Sequence, residues 1–132
     1  MSTAHIIYKD NLRTEITHNQ SGDTIITDAP VDNEGQGAAF SPTDLAAASL
    51  AACMITIMGI AAKKREIDMT GTTADVTKIM ASDPRRISEI RVDITFPEHL
   101  SDKERTILQR ASKHCPVGNS LSIDLQEKVN YS

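Results

Sequence analysis

The region from Leu45 to Ala62 is the longest apolar stretch of the chain, and it opens on unusually strong helix-start chemistry. Ser41 suits an N-cap, and Pro42 suits the first helical position. Asp44 stands in the first turn, where negative charge is favoured, at the acidic position of a capping-box-like pattern. A helix from Pro42 to about Arg65 is therefore expected. Apolar residues cover nearly every face of its middle, so it reads as a helix buried all round. A chain of 132 residues can enclose such a helix only by placing it centrally or by sharing it with a partner subunit. Aromatic residues are only 3% of the sequence and Trp is absent. The core must then come from Ile, Leu, Val, Ala and Met, which again favours burial by dimerisation.

Elsewhere the periodicity changes. Leu12, Thr14, Ile16 and His18 alternate with Arg13, Glu15 and Thr17, as in a half-buried strand. The turn Ser21-Gly22-Asp23 leads into a second strand to Thr27, and His5 to Tyr8 supplies a third. The Gly- and Pro-containing segment Asp28 to Phe40 reads as a loop that delivers the chain to the helix. After the helix, Thr72 to Met80 and the alternating Ile90, Val92, Ile94 and Phe96 read as strands joined at Asp83-Pro84. Ser101-Asp102-Lys103-Glu104 is a capping box, and its helix carries Ile107, Leu108, Ala111 and Cys115 on one stripe. Ile123, Leu125, Val129 and Tyr131 suggest a closing strand. Strands and helices are partly segregated, so a single α+β domain spanning 1–132 is expected.

Composition excludes several functions. A formal charge of −4 argues against a nucleic-acid partner. The run Lys63-Lys64-Arg65 sits where a helix should end and complements its dipole. Ser49, Thr56 and Gly59 interrupt the apolar stretch, so no membrane association is expected. The N-terminal MSTAHIIYKD lacks a leader pattern, and a cytoplasmic protein is expected. Two cysteines and four histidines show neither C-x-x-C nor H-x-x-x-H spacing, so no metal is expected.

The cysteines carry the chemistry. Cys53, among Ala51, Ala52 and Met54, reads locally as a small buried hydrophobe. Cys115 precedes Pro116, which can begin a new helical turn. Cys115 would then be an N-cap, where unpaired N–H groups favour a thiolate. Local physics thus makes Cys115 the more acidic thiol.

Phe40-Ser41-Pro42-Thr43-Asp44-Leu45, the run through Ala51-Ala52-Cys53-Met54, and His114-Cys115-Pro116-Val117 together resemble the OsmC/Ohr family of osmotically induced and organic-hydroperoxide-resistance proteins. The resemblance implies an OsmC-like fold: N-terminal antiparallel strands, a long central helix, a hairpin, a second helix and a closing strand, in an intertwined homodimer. It also implies a thiol-dependent peroxidase that reduces organic hydroperoxides, with hydrogen peroxide as a second substrate. Cys53 then attacks, Cys115 resolves the product as a Cys53–Cys115 disulfide, and an external dithiol such as a dihydrolipoyl group restores the pair. Arg13 matches the family's assisting arginine; its other reading is a solvated strand residue beside Glu15. Asp44 is the acid nearest the family's assisting carboxylate. Many peroxidase members have Glu where this chain has Thr43. Asp44 precedes Cys53 by nine positions, two and a half helical turns, so the two face apart on one helix and Asp44 reads equally as a cap. A non-enzymatic thiol sensor or stress-linked binding protein is the alternative on the same fold, and a structural dimer with inert thiols is a third.

Overall fold

A computed structural model describes residues 2–132 as two compact units, the first ending at Leu45 and the second running from Ala46 to Ser132. The first unit is an antiparallel sheet in the order β1 (Ala4–Asp10), β2 (Arg13–His18), β3 (Thr24–Asp28). Its register aligns Ile6, Ile16 and Ile25 across one face and Ile7, Glu15 and Ile26 across the other. The outer strands β1 and β3 therefore present apolar residues to both sides, and Ile6, Ile7, Tyr8, Ile25 and Ile26 all remain exposed in the single chain. The tight β1–β2 turn uses positive φ at Asp10, Asn11 and Leu12, a conformation that Asp and Asn tolerate better than a branched residue. After β3 the loop forms a 3-10 turn at Val31–Asn33 and folds back on itself. A Cβ at Gly35 would lie 1.7 Å from the Ala29 carbonyl oxygen, so only glycine fits there.

Helix α1 spans Pro42–Lys64, with Asp44 in its first turn and Lys63 and Lys64 in its last, as the start and stop chemistry requires. It is not buried all round within the chain. Ala47, Leu50, Ala51, Met54, Met58 and Ala62 form the buried face, while Ala52, Thr56 and Ile60 are exposed. The sequence expectation treated apolar character as burial, and an apolar residue can equally lie on a face that one chain leaves open. Its apolar 18-residue window averages a hydropathy of 2.1, which by length and composition alone would suffice to cross a membrane. Ser49, Thr56 and Gly59 thus weaken it less than the sequence reading held.

The second unit also holds β4 (Thr73–Ala81), β5 (Arg86–Thr95), α2 (Asp102–Ser112), α3 (Pro116–Ser120) and β6 (Gln126–Tyr131). The sheet order is β4-β5-β6, with β5 antiparallel to β4 and parallel to β6. Central β5 sends Ile90, Val92 and Ile94 into the core with Leu50, Met54 and Met58 of α1 and Leu108 of α2. The α2 capping box forms as read: the Ser101 hydroxyl accepts from the Glu104 N–H and the Glu104 carboxylate from the Ser101 N–H.

Two local expectations fail. Ile123 is 98% exposed and precedes β6, because apolar identity without strand pairing gives it nothing to bury against. Cys115 is not on the α2 stripe, since α2 ends at Ser112 and the intervening turn re-aims the chain.

Candidate active site

The structure brings the two cysteines together. Cys53 projects from the middle of α1 and is partly exposed; Cys115 is buried, and both are free thiols. Pro116 occupies the first turn of α3 and fixes Cys115 as its N-cap in extended backbone. There the Cys115 Sγ accepts the Gly118 N–H at 3.4 Å, and its thiol points to the Leu50 carbonyl at 3.9 Å. The Cys53 side chain lies close enough to the Cys115 thiol to raise it.

This geometry reverses the expected acidity of Cys115. The cap exists and the Gly118 N–H does favour the thiolate, but burial pushes the Cys115 thiol up, and the nearby Cys53 pushes it further. The Gly118 and Val117 N–H groups of a five-residue helix do not offset loss of water around the sulfur. Cys115 is thus a protonated, sheltered thiol held against Cys53.

Arg13 is not a solvated strand residue. Its Nε donates to Asp28 Oδ1 at 2.7 Å and its Nη2 to Oδ2 at 2.9 Å. The β2–β3 register puts the two residues directly opposite each other. Asp28 is 1% exposed and also accepts the Ala38 N–H at 3.1 Å. The Arg13 hydrogen bonds hold the Asp28 carboxyl below the usual carboxylate range, against the burial that would raise it; charge attraction and the Ala38 N–H act in the same downward sense. In return Asp28 raises the Arg13 guanidinium. Asp28 was missed from sequence. An acid before a loop is ordinary, and only the strand register could have paired it with Arg13.

Asp44 makes a reciprocal cap with Ser41. The Ser41 N–H donates to Asp44 Oδ2 at 3.0 Å, and the Asp44 N–H donates to Ser41 Oγ at 3.0 Å. Thr43, at the position of the family's glutamate, shares a hydrogen bond with the Ser41 hydroxyl at 3.1 Å. Leu50 is fully buried, whereas Ile57 is half-buried and Ile60 exposed.

The OsmC-like protein family matches residues 35–128 of this sequence. The chain belongs to that family. No curated protein matches it. This OsmC-like chain is 53% identical to a crystal structure from Psychrobacter arcticus, provisionally named an osmotic stress induced and detoxification response protein. That match covers 100% of this chain and 96% of the other, with a TM-score of 0.95. An organic hydroperoxide resistance protein OsmC from Legionella pneumophila shares 16% identity at a TM-score of 0.78, covering 100% and 96% of the two chains. One from Elizabethkingia anophelis, with thiocyanate bound, shares 16% at 0.75 over the same fractions. At these lower identities the OsmC-like fold is what is shared.

Proposed function

We propose that this OsmC-like chain is a cysteine-based peroxidase acting on organic hydroperoxides. The observation that carries the reading is the contact between a partly exposed Cys53 and a buried, protonated Cys115. The names of the Legionella and Elizabethkingia structures support it as a family-level expectation. The Cys53 thiolate attacks one peroxide oxygen, the O–O bond breaks, and an alcohol leaves after taking up a proton. Cys53 becomes a sulfenic acid. The Cys115 thiol attacks its sulfur, water leaves, and a Cys53–Cys115 disulfide forms. An external dithiol, such as a dihydrolipoyl group, reduces it. Arg13 is assigned, on the family resemblance, to supply positive charge to the thiolate, with Asp28 fixing its guanidinium. Asp44 is assigned to the helix cap rather than to proton transfer. Ile57 and Ile60 give the Cys53 side of α1 an apolar character suited to an organic substrate.

The protein acts as a homodimer in the cytoplasm. The dimer reading rests on the open apolar side of α1 and the exposed Ile6, Tyr8 and Ile25 of the first sheet, apolar surface that a partner subunit would cover. Sedimentation as a stable monomer at micromolar concentration would remove it.

The deciding experiment is peroxide-dependent thiol loss followed by mass spectrometry. Cys53→Ser abolishes peroxide reduction. Cys115→Ser permits one oxidation and leaves a Cys53 sulfenic acid that a dimedone probe labels. Labelling of Cys115 in Cys53→Ser, with none in Cys115→Ser, would reverse the roles, and unchanged peroxide consumption in both would end the enzyme reading. Thr43 in place of the family's glutamate favours a thiol sensor as the second reading. A sensor is oxidised once per chain in the presence of excess dithiol and peroxide, whereas a peroxidase turns over.

A further inference from the structure

Beside the buried cysteine lies a pocket of about 460 Å³. Cys115 is among its lining residues and Cys53 is not. One wall is apolar, from Met54, Val129 and Tyr131. The rim is polar, from Lys113, Asn119 and Glu127, and the Ser112 and Tyr131 hydroxyls close on each other at 2.6 Å beside it. Of the two free thiols, this space reaches only Cys115. The peroxide needs the other sulfur, on the partly open side of α1.

We infer that this pocket receives the dithiol reductant, whose thiolate attacks Sγ of Cys115 and expels Cys53. The inference rests on the Cys53–Cys115 disulfide proposed above. In the first step a bond forms between the reductant sulfur and Cys115, the protein disulfide breaks, and Cys53 leaves as a thiolate ready for the next peroxide. In the second step the other thiol of the reductant gives up its proton and attacks the first reductant sulfur. Cys115 leaves with a proton, and the reductant departs as a cyclic disulfide. Two electrons pass from dithiol to protein.

The chemistry of Cys115 agrees with this order. Burial raises its thiol, and a high-pKa sulfur is the poorer group to expel in a bimolecular exchange. Here it departs only in the ring-closing step, where the attacking thiol is already tethered and its effective concentration is high. The shape fits as well: an apolar wall takes the carbon frame of a small dithiol, and the polar rim takes its hydroxyl or amide end. Peroxide and reductant would then reach opposite sulfurs by separate entrances and would not compete for one.

The test uses wild-type protein whose disulfide has been closed with diamide, so peroxide activity is not required. The oxidised protein is exposed briefly to 2-mercaptoethanol, a monothiol that cannot complete the second step. It is then quenched in acid, alkylated and mapped by mass spectrometry. The expected adduct sits on Cys115, with Cys53 alkylated. An adduct on Cys53, or equal labelling of both, overturns the inference while leaving the peroxidase reading intact. Failure of diamide to close the disulfide removes the redox pair and both proposals with it. In parallel, Asn119→Trp places a large ring at the exposed rim. Reduction of its disulfide by dithiothreitol should slow at least tenfold with an unchanged circular dichroism spectrum. Wild-type speed in a folded Asn119→Trp protein would also overturn the proposal.

Discussion

Asp44 separates a structural from a chemical role most cleanly, because two substitutions at one position remove different things. Its carboxylate accepts the Ser41 N–H, and Ser41 is 1% exposed, so water does not replace a lost acceptor. Asp44→Ala leaves that N–H unsatisfied, a cost of about 1–3 kcal/mol. Asp44→Asn keeps an oxygen acceptor of the same shape for the Ser41 N–H and loses the charge at the helix N-terminus, about 0.3–1 kcal/mol. At roughly 4 °C per kcal/mol for a chain of this size, Tm should fall by roughly 4–12 °C for the alanine and roughly 1–4 °C for the asparagine. Both are measured by thermal unfolding at one fixed protein concentration, with turnover measured well below either Tm. The expected result is a graded loss of Tm with turnover within about threefold of wild type, since stability changes alone leave the transition state untouched. If Asp44→Asn keeps its Tm and loses turnover a hundredfold or more, Asp44 takes part in the chemistry and the capping argument is refuted.

Three other perturbations probe separate parts of the molecule. If Arg13 serves the thiolate as proposed, Arg13→Ala should move the pH profile of Cys53 alkylation upward, because loss of a positive charge at a thiolate disfavours its ionised form; an unchanged profile dismisses Arg13 from the site. Asp28 titrates below its unfolded range, so its contribution to stability is present above the unfolded carboxyl value and is lost as pH falls through the folded one. Urea midpoints should therefore drop on acidification in wild type and depend less on acid pH in Asp28→Asn, and parallel curves would contradict the pairing. Leu108 is fully buried against β5 and α1, so Leu108→Ala should cost about 2–5 kcal/mol in urea unfolding, and less than 1 kcal/mol would mean the core re-closes around it.

What could be read from sequence was mostly what neighbouring residues decide among themselves. Ser101 and Glu104 form their box within one turn, and Pro116 makes a cap of Cys115 with no help from the rest of the chain. The alternation of Ile90, Val92 and Ile94 survives as the buried side of β5 because a central strand leaves it no other choice. What failed depended on distant partners. The acidity of Cys115 is set by burial and by Cys53, which the local cap does not reveal. The Arg13–Asp28 pair exists only once a hairpin register has formed. Ile123 shows the converse error, an apolar side chain assigned to a strand that begins three residues later.

The parallel pairing of β6 with β5 has a consequence in time. Among the elements described, β6 is synthesised last, after both cysteines have emerged and after the sheet it joins. Until it arrives, the Ser112 hydroxyl lacks Tyr131 and the flank of Cys115 formed by Val129 and Tyr131 is open. A nascent chain therefore carries the Cys115 sulfur without that flank until β6 is in place. The shelter of Cys115 is thus completed only when β6 docks beside β5.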